Sequence, residues 1–299
     1  MNPTLPNRFD PANAAALCRA SKDAYALRPA HFIDHRPTDT RAILSTTETD
    51  LIIAFRGTRS LANFVTDASC ERTPLYPGAK AEVHAGFQRA FAGLREQLSE
   101  SVVKLLSGRR GLRLWFTGHS LGGALAKLAA LHFASPWTSV YTFGEPRVGN
   151  AAFRDLYESQ LGARTFRVVH ADDVVPRLPW LLGAYRHCGH EVFYPCARPA
   201  SRSLSMADSP LLQATATARP DDEAAHLPLK RDGWKLDPSA CWKLPWDIRN
   251  GARELWHGKI ALLEDHHIDT YRALFQKAGR RARRNVAAPR HFQPSVSLP

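Results

Sequence analysis

The sequence lacks the features that mark membrane-spanning and disulfide-stabilised proteins. Among its 299 residues the longest apolar runs, such as Leu51–Phe55, fall far short of the roughly 18 residues that a membrane-spanning helix needs. Its five cysteines are an odd number, widely scattered and without a C-x-x-C pair, so we expect no disulfide framework. Apolar residues make up 44% of the chain, which excludes global disorder. These features indicate a folded chain built around an apolar core.

The first ten residues lack a charged start followed by an apolar stretch, the pattern of an ordinary secretory signal peptide. We therefore expect a reduced, cytoplasmic protein. Signal-independent export, or removal of a signal, is the alternative.

Acidic residues are scarce: the chain has 28 Asp and Glu against 40 Lys and Arg, which gives a formal charge of +12. Such a balance makes nucleic acid or an anionic membrane surface possible partners. Half of the excess, however, lies in residues 277–299, which contain six basic and no acidic residues. We therefore expect a solvated, flexible basic tail and no nucleic-acid partner. The remaining expectation is a transient contact of the tail with an anionic surface.

Alternating apolar elements predict an α/β fold. Strands are expected at 42–45, 51–55, 112–117, 140–143, 166–169 and 191–194, and helices at 12–26, 84–106, 121–133, 151–160 and 259–276. This alternation indicates a mostly parallel sheet with helices on both faces. We predict one domain over residues 1–276, with an insert at about 197–256 that is rich in Pro and Ser and holds four tryptophans.

The sharpest motif is Gly118-His119-Ser120-Leu121-Gly122, between an apolar strand and a helix. It is a G-x-S-x-G sequence in the strand-turn-helix context of a serine nucleophile. Gly118 and Gly122 must come close together at such a turn, which excludes bulky side chains. The sequence therefore predicts Ser120 as a nucleophile.

A serine nucleophile needs a base and an acid, which follow it in the order acid, then histidine, in α/β-hydrolases. Asp172 and Asp173 both lie in the loop after the strand at 166–169, and either could be the acid. The candidate bases are His226, His257, His266, His267 and His291. Chain order does not separate the two neighbours His266 and His267.

Together these and further motifs resemble the class 3 lipases, the group of the fungal triacylglycerol lipases. The resemblance covers about residues 10–195 and 260–275. Its motifs, in chain order, are Phe55-Arg56-Gly57-Thr58, Val83-His84-Ala85-Gly86-Phe87, Gly118 to Leu125, Tyr141 to Asn150, Asp173-Val174-Val175-Pro176 and Asp265-His266. It implies an α/β-hydrolase fold with a short lid helix.

The resemblance also implies roles for individual residues. Ser120 corresponds to the nucleophile, Asp173 to the acid in preference to Asp172, and His266 to the base in preference to His267. His119 belongs to a family motif and is expected to have a supporting role, with Gly118 and Gly122 at the turn.

The oxyanion hole is expected at Thr58, through its hydroxyl and N–H, and at the N–H of Leu121. Asp67 corresponds to a residue that steadies the Thr58 hydroxyl. Leu61, Phe64 and Val65 form one apolar stripe on the predicted lid helix.

Some other motif residues are interpreted as structural. Glu145 and Arg147 lie in a loop near the expected site. His187, Cys188, His190 and Cys196 are crowded enough to suggest zinc, but the predicted strand at 191–194 interrupts them. We therefore predict no metal site, and the proposed chemistry needs no cofactor.

The sequence thus predicts a carboxylic-ester hydrolase that acts on lipids. The residues do not separate triacylglycerol, monoacylglycerol and phospholipid substrates, and they leave the oligomeric state open. One alternative is a phospholipase A1 or an antibacterial lipolytic effector. The other is a non-catalytic binding module on a hydrolase scaffold.

Overall fold

The computed structural model describes residues 7–26, 32–57, 71–109, 111–170, 173–179, 184–195 and 266–276. The predicted lid helix, insert and basic tail lie outside the described residues.

Nine strands form two sheets. They are β1 (Phe32–His35), β2 (Thr40–Thr46), β3 (Asp50–Phe55), β4 (Arg72–Pro74), β5 (Glu82–His84), β6 (Arg113–His119), β7 (Thr138–Phe143), β8 (Thr165–His170) and β9 (His190–Tyr194). The main sheet has the order β1-β2-β3-β6-β7-β8-β9, and β4 pairs only with β5. Neighbours from β3 to β9 are parallel, whereas β1–β2 and β2–β3 are antiparallel.

Helices cover both faces of the main sheet, as predicted. They are α1 (Pro11–Asp23), α2 (Ala85–Leu106), α3 (Leu121–His132), α4 (Ala151–Leu161) and α5 (residues 268–276). One face packs around Phe87, Leu94 and Phe116 with α2, α3 and α4. The other face packs around Tyr141 and Phe143 with α1 and α5. Every residue of β7 and β8 is buried, because helices lie on both sides.

Local signals place the helix starts. The Asp10 side chain accepts a hydrogen bond from the Ala12 N–H at 2.7 Å, and Pro11 is the first residue of α1. At α2, His84 is the cap and not part of the helix, since its Nδ1 accepts from the Gly86 N–H at 3.1 Å. Helix starts are thus fixed by short-range hydrogen bonds that the sequence reveals.

The structure adds three short strands, β1, β4 and β5, that the sequence pattern does not predict. They have only three or four residues each, most of them polar, and Val83 is the one fully buried residue among them, so the strands are too short to show an apolar alternation. It also extends β6 to His119, two residues beyond the predicted strand. Within the described residues, no helix is both long and apolar enough to cross a membrane.

The parallel strands bring three functional segments to one edge. The carboxyl ends of neighbouring β6, β7 and β8 lead into Ser120, Gly144 and the loop that contains Asp173. Polar groups at the carboxyl ends of parallel strands converge in α/β sheets.

Phe143→Ala should destabilise the protein by about 3–5 kcal/mol, the usual cost of removing a buried phenylalanine. Phe143 is fully buried, and its ring centroid lies 6.2 Å from that of Tyr271 and 6.1 Å from that of Phe275, so it holds α5 against the sheet. Urea unfolding would measure the loss. Val103→Ala, at a side chain 63% exposed, should change stability by less than about 0.5 kcal/mol and is the control. Equal effects of the two substitutions would contradict this packing role.

Candidate active site

Ser120 lies in the turn between β6 and α3 with φ 58° and ψ −132°. A positive φ is unfavourable for a residue with a side chain. A Cβ atom on Gly118 would lie 2.2 Å from the Gly122 carbonyl carbon, and one on Gly122 would lie 2.2 Å from the Phe55 oxygen. Both positions therefore have to be glycine for the turn to close. This is the strained, tight turn that the G-x-S-x-G sequence predicts.

The segment before Thr58 passes directly against the serine. A Cβ atom on Gly57 would lie 2.6 Å from the His119 carbonyl oxygen and 3.3 Å from the Ser120 Cβ. Leu121 begins α3, where first-turn N–H groups have no acceptor within the helix. Thr58, Asp67 and the lid residues Leu61, Phe64 and Val65 lie outside the described residues.

Asp173 and His266 meet although they are 93 positions apart. The His266 Nδ1 lies 3.0 Å from Asp173 Oδ1 and 2.9 Å from Oδ2. The Val175 N–H also donates to Oδ1, at 2.9 Å. Asp173 is fully buried and His266 is 3% exposed. Because the carboxylate can only accept, it fixes the neutral imidazole with its proton on Nδ1.

The other ring nitrogen of His266 is the one left to accept a proton. Its Nε2 is buried and has no hydrogen-bond partner among the described residues. The His119 ring, next to Ser120 in sequence, lies against the His266 ring with centroids 4.5 Å apart. His266 is therefore adjacent to the serine turn, and in this structure no hydrogen bond joins its Nε2 to the Ser120 hydroxyl. Hydrogen bonds of this kind are often long in ligand-free enzymes.

His267, the alternative candidate to His266, lies in a different environment. Its ring is exposed, and its Nδ1 accepts a hydrogen bond from the Asp269 N–H at 3.2 Å. Asp172, the rival to Asp173, lies outside the described residues.

Tyr271 is a site residue that sequence reasoning missed. Its hydroxyl donates to Asp173 Oδ2 at 2.5 Å and accepts from the His170 N–H at 3.2 Å. The side chain is fully buried on α5, five residues after His266. The available signal was an aromatic residue on the helix that directly follows the predicted base.

Gly144 is a second missed residue. It has φ 57°, and a Cβ atom there would lie 2.6 Å from Asp173 Oδ2 and 3.0 Å from His266 Nδ1. Both the backbone conformation and the missing side chain are therefore needed beneath the Asp173–His266 hydrogen bond.

His119 ties the base to the first helix. Its Nε2 donates to the His266 carbonyl oxygen at 2.5 Å, so its Nδ1 accepts from the Tyr25 hydroxyl at 3.0 Å. Burial, with a smaller effect of His266, holds the pKa of His119 well below its ordinary value of 6.5. Burial also raises the pKa of Tyr25 to about 12. The pair is thus neutral and holds the backbone of His266.

Arg147 links the loop after β7 to the acid loop, consistent with the structural role predicted for it. Its N–H donates to the Leu178 oxygen at 2.7 Å, and its Nη1 donates to the Pro179 oxygen at 2.9 Å. His187, one of the residues considered for zinc, donates through Nε2 to the Pro176 oxygen at 2.6 Å. Among the described residues no three potential metal ligands converge.

Comparison with known proteins identifies the family. Residues 52–182 match the family described as Lipase (class 3). Over this part, the chain is similar to the class 3 lipases. The matched span contains Ser120 and Asp173 and ends before His266.

A solved triacylglycerol lipase, described as having a serine protease triad as its catalytic centre, resembles the chain with a TM-score of 0.57. It is 27% identical, and the alignment covers 61% of this chain and 79% of that one. The predicted α/β-hydrolase fold is thereby confirmed.

Two curated relatives come from fungi. The secreted mono- and diacylglycerol lipase 1 of Fusarium solani is 34% identical over 145 residues, which cover 48% of this chain and 43% of the relative. The secreted mono- and diacylglycerol lipase A of Penicillium cyclopium is 33% identical over 184 residues, covering 59% and 58% respectively. The chain thus spans about half the length of the curated relatives that it matches.

These relatives overturn one expectation. Both are named as secreted proteins, so the expected cytoplasmic location is wrong. The expectation rested on the composition of ten N-terminal residues, which does not determine the compartment in which a folded domain works.

Tyr271→Phe should lower kcat/KM for a soluble ester about tenfold, by removing one of the donors that hold the Asp173 carboxylate. The ring and its packing remain. Steady-state kinetics would measure the change. Tyr157→Phe is the matched control, since that buried hydroxyl pairs with Thr165 Oγ1 at 3.1 Å and makes no contact with Asp173. An unchanged kcat/KM in Tyr271→Phe would contradict the positioning role.

Folding stability should fall as the pH is lowered below about 6.5. Burial lowers the pKa of both His119 and His187 well below 6.5, and for His187 the charges of Arg167, Lys127 and Arg147 add to it. The unfolded chain therefore binds these protons more tightly. Each histidine removes up to about 1.4 kcal/mol per pH unit between 6.5 and its lower folded value.

Urea unfolding between pH 7.5 and 5 would measure this slope. His187→Gln removes one titrating group while keeping a donor for the Pro176 oxygen, so its slope should be shallower. A stability that stays constant over this range would contradict the assignment of buried neutral histidines.

Proposed function

We propose that the protein is a serine hydrolase that cleaves carboxylic esters of lipids through an acyl-enzyme. The observation that carries this proposal is the buried hydrogen bond between Asp173 and His266, next to the strained turn of Ser120. The similarity of residues 52–182 to the class 3 lipases supports it.

In the first half-reaction, His266 Nε2 takes the proton of the Ser120 hydroxyl while the oxygen attacks the ester carbonyl carbon. The imidazolium that forms is stabilised by the Asp173 carboxylate, which stays ionised. Collapse of the tetrahedral intermediate expels the alcohol, which receives the proton from His266. In the second half-reaction, water attacks the acyl-enzyme with His266 again acting as base, and the carboxylic acid leaves.

Stabilisation of the negative oxygen in each tetrahedral intermediate is assigned to Thr58 and Leu121. The N–H of Leu121 lies in the first turn of α3, where the helix dipole favours negative charge. Thr58 follows Gly57, whose backbone lies against Ser120. In this proposal Asp67 orients the Thr58 hydroxyl.

The substrates are proposed to be acylglycerols, taken up by an enzyme that works outside the cell. The names of the Fusarium and Penicillium relatives support both statements. Residues 59–69 are proposed as a lid whose apolar stripe faces lipid when it opens. The domain is proposed to span residues 1–276 with its insert, followed by the basic tail.

Ser120→Ala should lower kcat on a p-nitrophenyl ester by about 10⁶-fold, because it removes the nucleophile. A fluorophosphonate probe should label the parent and not the variant. Ser159→Ala is the control, since among the described residues that hydroxyl on α4 hydrogen-bonds only to the Leu156 oxygen, at 2.7 Å. Parental turnover in Ser120→Ala would contradict the mechanism.

The substrate class is tested with emulsified tributyrin, mono- and diacylglycerol, and anionic phospholipid vesicles. Preference for the acylglycerols supports the proposal, and preference for the vesicles would replace it by a phospholipase A1. If the protein is not labelled by the fluorophosphonate and hydrolyses none of these substrates, the non-catalytic binding module is the interpretation that remains.

A further inference from the structure

Two charged residues that the proposed mechanism does not use are buried together. Lys127 on α3 is fully buried and Glu145, after β7, is 1% exposed; they form an ion pair. Lys127 Nζ also donates to the Cys188 carbonyl oxygen at 2.7 Å. Apolar residues of similar size would fill such a space at a lower desolvation cost. Packing alone therefore does not account for the pair.

The pair connects the serine helix to the backbone beneath the acid and base. Glu145 directly follows Gly144, where a Cβ atom would lie only 2.6 Å from Asp173 Oδ2. It also lies against the first turn of α3, since a Cβ atom on Gly123 would be 2.7 Å from the Glu145 Cβ. Any shift of Glu145 relative to Lys127 would therefore move Gly144 relative to Ser120.

His187 extends this connection to the acid loop. Its Nε2 donates to the oxygen of Pro176, three residues after Asp173, and its Nδ1 lies 3.9 Å from Glu145 Oε1. His187 Nδ1 and Glu145 Oε2 are buried without hydrogen-bond partners among the described residues. Both atoms accept hydrogen bonds, so an internal water that donates to each would satisfy them.

We propose that Lys127, Glu145 and His187, here called the buried cluster, are positioning residues for the ester hydrolysis proposed above. The cluster fixes the relative positions of three segments: α3 behind Ser120, Gly144 beneath the Asp173–His266 hydrogen bond, and the acid loop at Pro176. It touches neither substrate nor the reacting atoms. The inference rests on the proposed function and adds residues to it that act through backbone geometry.

The main test is the double variant Lys127→Met/Glu145→Gln, which removes both charges and keeps both shapes. It should fold, because replacing a whole buried pair is far less costly than removing one partner. Its kcat on a soluble p-nitrophenyl ester should fall about tenfold, as expected for slight misalignment of reacting groups. Its KM should stay within about twofold, because the cluster does not contact substrate.

Arg113→Met is the matched control. It breaks the Arg113–Asp50 ion pair, whose 2.7 Å contact joins the amino ends of β6 and β3, opposite the site. This variant should lower the melting temperature and leave kcat unchanged. A folded double variant with parental kcat, assayed well below its melting temperature, would overturn the inference.

A second pair of variants covers the case in which the double variant does not fold. His187→Gln keeps a donor for the Pro176 oxygen and should retain most of the parental kcat. His187→Leu removes the donor and should lose about tenfold in kcat at similar KM. Equal kcat in the two variants would overturn the inference.

Failure of the proposed function has a different signature. If the parent hydrolyses no ester but is labelled by the fluorophosphonate, the substrate proposal fails, and the labelling rate constant takes the place of kcat in the same comparisons. If the parent is not labelled, the proposed function and the inference fail together.

Discussion

The buried carboxylate of Asp173 is the constraint on which the rest of the site depends. An ionised carboxylate that is fully buried is tolerated only when donors surround it. Three groups donate here: the imidazole of His266 and the hydroxyl of Tyr271, both from the segment at 266–276, and the N–H of Val175 from the loop of Asp173 itself. The carboxylate thereby fixes the position of a helix nearly 100 residues away as well as the tautomer of His266.

The two faces of the sheet support this carboxylate differently. On one face, α1 and α5 pack around Phe143 and Tyr141, and α5 carries Tyr271 to Asp173. On the other face, α3 buries Lys127 beside Glu145, whose neighbour Gly144 lies beneath Asp173 and His266. Apolar packing thus brings the elements together, and directional polar contacts set their register.

Two glycines and a strained serine show where geometry outweighs local stability. Ser120 and Gly144 both have positive φ, and a Cβ on Gly118 or Gly144 would clash with atoms of the site. Positive φ is unfavourable for serine and readily adopted by glycine, so a serine in this turn fits the nucleophile role proposed for its side chain. The surrounding buried strands hold these turns in place.

The sequence by itself determined the tight turn at Ser120, the alternation of strands and helices and the family that residues 52–182 match. These properties depend on neighbours along the chain: Gly118 and Gly122 around Ser120, Asp10 before α1, and apolar periods of two or three to four residues. Residue pattern alone left Asp172 or Asp173, and His266 or another histidine, as alternatives; the family resemblance favoured Asp173 and His266.

Only the tertiary structure decided which distant groups meet. It places the His266 ring against Asp173 and the neighbouring His267 ring in solvent, a difference set by how α5 packs on the sheet. It also decided that Tyr271, Gly144 and the Lys127–Glu145 pair surround the site. No short-range pattern marks them, because each is defined by a contact with a residue far away in sequence or by the space that such a contact leaves.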